Sequence, residues 1–144
     1  MATRDGTAEW RGDLQGGSGT MSVASGLFQD GNYSFASRFE EGPGTNPEEL
    51  IAAAHAGCFS MALSNILSEA GHQPQSVRTT AKVHLRNVDG QPTIARIDLV
   101  TEGQVPGIDQ QQFGQYAVQA KEGCPVSRAL AGVGEMNLDA TLAS

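Results

Sequence analysis

Cysteine is scarce in this chain: there are two in 144 residues, Cys58 and Cys124. They do not form a Cys-x-x-Cys pair, which argues against a thioredoxin-type oxidoreductase. Two thiols so far apart read by default as free cysteines in a reducing compartment. Positive charge is also scarce. Nine Lys and Arg face sixteen Asp and Glu, for a net charge of −7, and the basic residues are scattered singly. Nucleic-acid binding needs clustered cations to neutralise phosphates, so that class is excluded. No basic and then apolar leader opens the chain, so export is not expected and a cytoplasmic location is. Internal repeats, linkers and low-complexity tracts are absent too. The apolar fraction of 39% and charged fraction of 17% suit one globular domain over residues 1–144.

Residues 50–68 contain no Asp, Glu, Lys or Arg. Nineteen residues suffice to span a bilayer on length. The run is rich in Ala, however, and carries His55, Gly57, Ser60, Ser64, Asn65 and Ser68 without flanking basic clusters. It therefore reads as the buried helix of a protein with no membrane span. Its start is well signalled. Thr45 or Asn46 can cap it, Pro47 suits its first turn, and Glu48 and Glu49 complement the positive end of the dipole. Gly71 stops it near residue 70. A helix that is small or apolar nearly all round must be covered on every side. A chain of this size has little to cover it with, which predicts a homodimer with this helix near the interface.

Three strands are expected first, over 7–14, 20–24 and 33–39, forming an antiparallel meander. After the long helix, residues 77–88 and 92–105 alternate with period two around a hairpin signal, Asp89-Gly90. Val77, Thr79, Ala81, Val83 and Leu85 share one face. Thr93, Ala95, Ile97 and Leu99 share another. A second helix over 108–121 carries a stripe of Phe113, Tyr116, Ala117 and Ala120. Cys124-Pro125 opens a short third helix to about residue 130, and 135–142 closes the chain as a strand.

Five residues are candidates for chemistry. Cys58 sits in mid-helix among small neighbours, where the dipole gives a thiolate no help. Cys124 sits at the cap of the short helix, where N–H groups and the dipole lower a thiol pKa. Taken alone, this physics favours Cys124 as the more reactive thiol. Glu48 lies about 15 Å from Cys58 along the helix axis, so it reaches that sulfur only through an intermediary or across a dimer; capping explains it equally well. Arg38 ends the third strand and could partner a thiolate, a peroxide oxygen or a carboxylate. His55, three residues before Cys58, permits a Cys–His pair, a two-ligand metal fragment or a satisfied core histidine. His72 and His84 look incidental.

Several segments in order resemble one family. They are Trp10-x-Gly12-x-Leu14, Arg38-Phe39-Glu40, Gly44-Thr45-Asn46-Pro47-Glu48-Glu49-Leu50, Ala53-Ala54-His55-Ala56-x-Cys58-Phe59-Ser60 and Gly123-Cys124-Pro125-Val126-Ser127. The chain is similar to the osmotically inducible protein C and organic hydroperoxide resistance (OsmC/Ohr) family. Arg38 just before the helix loop, with Val105-Pro106-Gly107-Ile108, points to the osmotically inducible (OsmC) branch. The resemblance implies an α+β fold in which antiparallel sheets wrap long central helices in an intertwined homodimer. It implies a thiol peroxidase without metal, haem or other cofactor, serving oxidative and osmotic stress defence. Cys58 would be the peroxidatic thiol, Cys124 the resolving thiol, and Arg38 and Glu48 their polar partners. Organic hydroperoxides would be the substrates, hydrogen peroxide a poorer one, and an external dithiol of lipoyl type the reductant. A Cys58–His55 acyl transferase or hydrolase and a non-catalytic ligand-binding dimer are the competing readings.

Overall fold

The computed structural model describes residues 2–144. The chain divides into two compact units, Met1–Leu50 and Ile51–Ser144.

In the first unit, β1 (Gly6–Arg11), β2 (Ser18–Val23) and β3 (Gly31–Tyr33) form the expected antiparallel meander. Trp10 and Tyr33 meet across it in a tilted pair, with ring centroids 5.3 Å apart. Gly19 lies beneath the two rings, and a Cβ there would collide with both. The third strand lies earlier than predicted: it shares only Tyr33 with the expected span 33–39, most of which is the helix α1 (Phe35–Phe39). Ser34 caps this helix through a reciprocal box with Ser37, and Phe35 and Phe39 meet one turn apart at 4.9 Å. The alternation Phe35, Ser37, Phe39 mimics a strand, but the cap and the i,i+4 aromatic pair favour a helix. Arg38 therefore lies on a helix, not on the end of a strand.

The long helix, α2, runs over Pro47–Glu69. Asn46 Oδ1 accepts the Glu49 N–H at 2.8 Å and so fills the cap. At the other end Gly71 adopts a positive φ of 88°. His72 N–H donates to Leu67 O and Gly71 N–H to Ser68 O, which satisfies the last carbonyls. His55, Phe59, Leu63 and Leu67, spaced by four, are fully buried. Each apolar member of that stripe contributes about 1.5–3 kcal/mol. The opposite stripe of Ala53, Gly57, Met61 and Asn65 is exposed. Among the described residues, α2 is the one helix long and apolar enough to cross a membrane.

The second unit builds its core from that buried stripe. β4 (Ser76–Val88) and β5 (Gln91–Gln104) form a hairpin whose turn, Asp89-Gly90, has positive φ at both residues, as a two-residue turn with native twist requires. A bulge follows His84: Arg96 pairs His84 while Ile94 pairs Leu85, leaving Ala95 unpaired. The bulge moves the inward face by one residue. Ile94, not Thr93 or Ala95, joins Ile97 and Leu99 against the core. Ser60, Thr79 and Thr101 link α2 to both strands through hydroxyl bonds of 2.7 and 2.9 Å.

After β5, α3 (Gln110–Gly123) is capped by Asp109 and buries Phe113, Ala117 and Ala120. The short α4 (Pro125–Ala129) follows, and β6 (Glu135–Leu142) then pairs with β5. That pairing is parallel, so the expectation of purely antiparallel sheets is corrected. A strand returning to its neighbour through a helical crossover arrives in the same direction, whereas a tight turn reverses it.

Candidate active site

The α3–α4 junction brings the two cysteines together. Cys124 ends one helix and opens the next, fully buried, while Cys58 is half-buried on α2. Their sulfurs, 66 residues apart in sequence, lie 2.8 Å apart, close enough for one thiol to donate to the other. Both are free thiols.

Their surroundings differ. Burial pushes the Cys58 thiol up, and the contact with Cys124 adds to this; the Val126 N–H and Arg128 only partly offset the rise. Burial also opposes ionisation of Cys124. There, however, hydrogen bonding from Cys58, the Ser127 N–H and hydroxyl and the Val126 N–H bring the thiol below its ordinary value. These N–H groups belong to the first turn of α4, so the predicted activation at the helix start is present, although the Cys124 side chain does not close a full capping bond. Within this unit Cys124 is the more acidic thiol and Cys58 the more accessible one.

His55 is not paired with Cys58. Its Nε2 lies 2.7 Å from Ser127 Oγ, and burial holds the ring below its ordinary pKa. Sequence reasoning gave Ser127 no role. The available signal was its position three residues after a cap residue, where a side chain turns back toward the cap. No three His, Cys, Asp or Glu residues cluster in a way that could hold a metal ion, among the described residues.

The other candidates meet in the first unit. Arg38 Nε donates to Glu48 Oε1 at 3.0 Å and its second terminal nitrogen to Oε2 at 3.1 Å. This fork fixes the guanidinium plane and leaves three of its five N–H groups for a ligand. Glu48 is nearly buried, with 8% of its side chain exposed against 37% for Arg38. Glu48 thus orients Arg38, and the capping that could also have explained it falls to Asn46. Two bonds steady the α1–α2 loop: Ser37 Oγ donates to Thr45 O at 2.7 Å and Asn46 Nδ2 to Ser37 O at 3.0 Å. Arg38 also borders a cavity of about 410 Å³ lined by Trp10, Leu14, Tyr33, Phe35 and Phe39.

Comparison with known proteins gives these pairs a context. The profile of the family described as OsmC-like protein matches residues 40–138. Peroxiredoxin OsmC of Escherichia coli strain K12 is 50% identical over 141 residues, covering 98% of this chain and 97% of that one. The organic hydroperoxide resistance protein-like 2 of Staphylococcus epidermidis is 33% identical over 103 residues, 69% of this chain and 70% of the relative. Among solved structures, the organic hydroperoxide resistance protein OhrB of Bacillus subtilis superposes with a TM-score of 0.71 at 25% identity, covering 96% and 98%. The OsmC-like protein of Mycoplasma pneumoniae gives 0.71 at 20% identity, covering 99% of each chain. A profile match over most of the length, with half the positions shared with an OsmC protein and about a third with an Ohr-like one, places the chain: it belongs to the OsmC-like protein family, on the OsmC side.

Proposed function

We propose that this chain reduces organic hydroperoxides to alcohols at Cys58, with Cys124 as the resolving thiol and the whole chain serving as one functional domain. That it is a cysteine-based peroxidase follows from its half-identity, along nearly the full length, with a peroxiredoxin. The single observation that carries the finer reading is the 2.8 Å sulfur contact between one half-buried and one fully buried thiol. A peroxide must reach the first sulfur from outside, and the second must wait beside it.

In this reading the Cys58 thiolate attacks the terminal peroxide oxygen and the alkoxide leaves as the alcohol. Cys58 becomes a sulfenic acid, which Cys124 converts to a disulfide with loss of water. An external dithiol, of lipoyl type, then returns both thiols. Nothing in the immediate surroundings of Cys58 lowers its pKa on balance, so its thiolate needs a guanidinium. Arg38, held by Glu48, supplies that charge and stabilises the oxyanion that develops on the peroxide.

The small residues around Cys58 and the aromatic cavity beside Arg38 favour substrates with an apolar tail. Burying about 120 Å² of tail at roughly 25 cal/mol per Å² is worth about 3 kcal/mol, or about a hundredfold over hydrogen peroxide. The exposed stripe on α2, with Met61 77% exposed, supports a homodimer in which a second copy covers it. Such an enzyme suits defence against oxidative and osmotic stress in the cytoplasm.

The test is one equivalent of an alkyl hydroperoxide added to the reduced protein, with thiols mapped by mass spectrometry. A fast Cys58–Cys124 link within one chain is expected. Its absence overturns the reading. Loss of activity on His55→Ala with none on Cys124→Ser would favour the Cys–His acyl transferase or hydrolase instead.

A further inference from the structure

His55 is a fully buried titratable side chain to which this chemistry gives no task. Its Nε2 meets Ser127 Oγ at 2.7 Å. Its Nδ1 has no hydrogen-bond partner and no surface that water can reach. Ser127 is itself buried on α4, three residues after Cys124, the position from which a side chain turns back toward the cap residue; consistent with that placement, its hydroxyl and N–H both favour the Cys124 thiolate.

A hydroxyl has one hydrogen to give. If Ser127 gives it to His55, none is left for the sulfur. The choice lies with the tautomer of His55. A proton on Nδ1 would be a buried N–H with no acceptor, the costlier kind of orphan. A proton on Nε2 leaves Nδ1 with only an unused lone pair and makes Nε2–H the donor to Ser127. The closed surroundings of Nδ1 therefore select the Nε2–H tautomer, and burial keeps the ring neutral.

We propose that His55 is a positioning residue for the resolving thiol: its Nε2–H donates to Ser127 Oγ, which turns the Ser127 hydroxyl toward Cys124 and holds that sulfur as the thiolate that attacks oxidised Cys58. This rests on the roles proposed above for the two cysteines. In the step itself the Cys124 sulfur bonds to the Cys58 sulfur and the Cys58 S–O bond breaks. The departing hydroxide takes up the proton that Cys124 released on ionising, and leaves as water. Cys58 is reduced, Cys124 is oxidised, and no further reactant is required. The other ionisable groups on these helices are Cys58 on α2, with Glu48 and Glu49 at its start and Glu69 at its end, Tyr116, Lys121 and Glu122 on α3, and Arg128 on α4, which acts on Cys58.

The first arm of the test needs no peroxide. In Cys58→Ser protein, the ultraviolet absorbance of the Cys124 thiolate is titrated against pH. Ser127→Ala and His55→Leu are each expected to raise the midpoint by about one unit, the scale of a hydrogen bond to a charged group. Ser127→Thr, which keeps the hydroxyl, and His55→Gln, whose amide reaches about as far as Nε2, should stay near the parent value. In the second arm, with Cys58 present and one equivalent of alkyl hydroperoxide, Ser127→Ala and His55→Leu should slow disulfide closure about tenfold near neutral pH. The Cys58 sulfenic acid should then accumulate. A parental midpoint in Ser127→Ala, or a shift in His55→Gln as large as in His55→Leu, overturns the proposal. Midpoints that move as expected in a protein that forms no Cys58–Cys124 disulfide would sustain the hydrogen-bond relay and overturn the peroxidase reading.

Discussion

The two units divide the chemistry unequally. The second brings two sulfurs to 2.8 Å and makes the buried one the more acidic. It leaves the accessible sulfur, Cys58, with a raised pKa. The first unit holds no thiol, but it locks a guanidinium in a bidentate pair with a nearly buried carboxylate. In the proposed reaction, one region holds the nucleophile without its activation, and the other holds the activating charge without a nucleophile. The contact between the two thiols, by contrast, lies wholly within the second unit, so the proposed disulfide closure should survive damage to the first.

The sharpest way to test that division is to remove each part in turn. Cys58→Ser should abolish peroxide reduction, a loss of more than about 10⁴-fold in kcat/KM, the scale of deleting a nucleophile; residual turnover through Cys124 would break the assignment. Arg38→Met should slow oxidation of Cys58 by about 10²–10³-fold. It should leave closure of the Cys58–Cys124 disulfide unchanged once the sulfenic acid exists, as stopped-flow with thiol trapping would show. Because Glu48 would then be buried without its partner, the same variant should lose about 1–3 kcal/mol of stability. Glu48→Gln should cost less, since Arg38 keeps some access to solvent.

Met61→Glu places a charge on the exposed stripe of α2 and should weaken self-association by about 10²-fold, measured by sedimentation. The activity of the resulting monomer then decides how the units cooperate. Retained activity means that Arg38 serves the sulfur of its own chain, and lost activity means that it serves the partner's.

The smallest effect is expected far from the thiols. The Asn137 amide, then the His84 ring, hold the Asp98 carboxyl below its ordinary value of 3.8. A depressed carboxyl pKa stabilises the fold above its unfolded value, and this stability is lost as the pH falls through the folded pKa. Asp98→Asn should therefore lower the urea midpoint slightly near neutral pH, make no difference in strong acid, and leave peroxidase activity untouched.

Much of the local structure was legible in the residues. Asn46-Pro47-Glu48-Glu49 opens α2 and Gly71 ends it. Asp89-Gly90 turns the β4–β5 hairpin, and period-two alternation marks β6. Each is a signal carried by a few neighbouring residues whose caps, φ angles and side-chain period are fixed locally. α1 was misread because Tyr33, Phe35 and Phe39 fall on one face of a strand as well as fitting a short helix, and only the Ser34–Ser37 box and the i,i+4 aromatic pair separate the two. The inward face of β5 was misread because one bulged residue reverses which side chains point inward.

For the site, the sequence by itself determined which groups were available: two thiols, one arginine near the start of a long helix, a carboxylate in its first turn, and a histidine three residues from a cysteine. Only the tertiary structure decided how they pair. Cys58 meets Cys124 across 66 residues and His55 meets Ser127 across 72, while Glu48 takes Arg38 rather than the helix cap. The physical reason is reach. Capping, turns and periodicity act within a turn or two of chain, whereas these contacts, and the parallel return of β6, depend on which faces the packed core brings together.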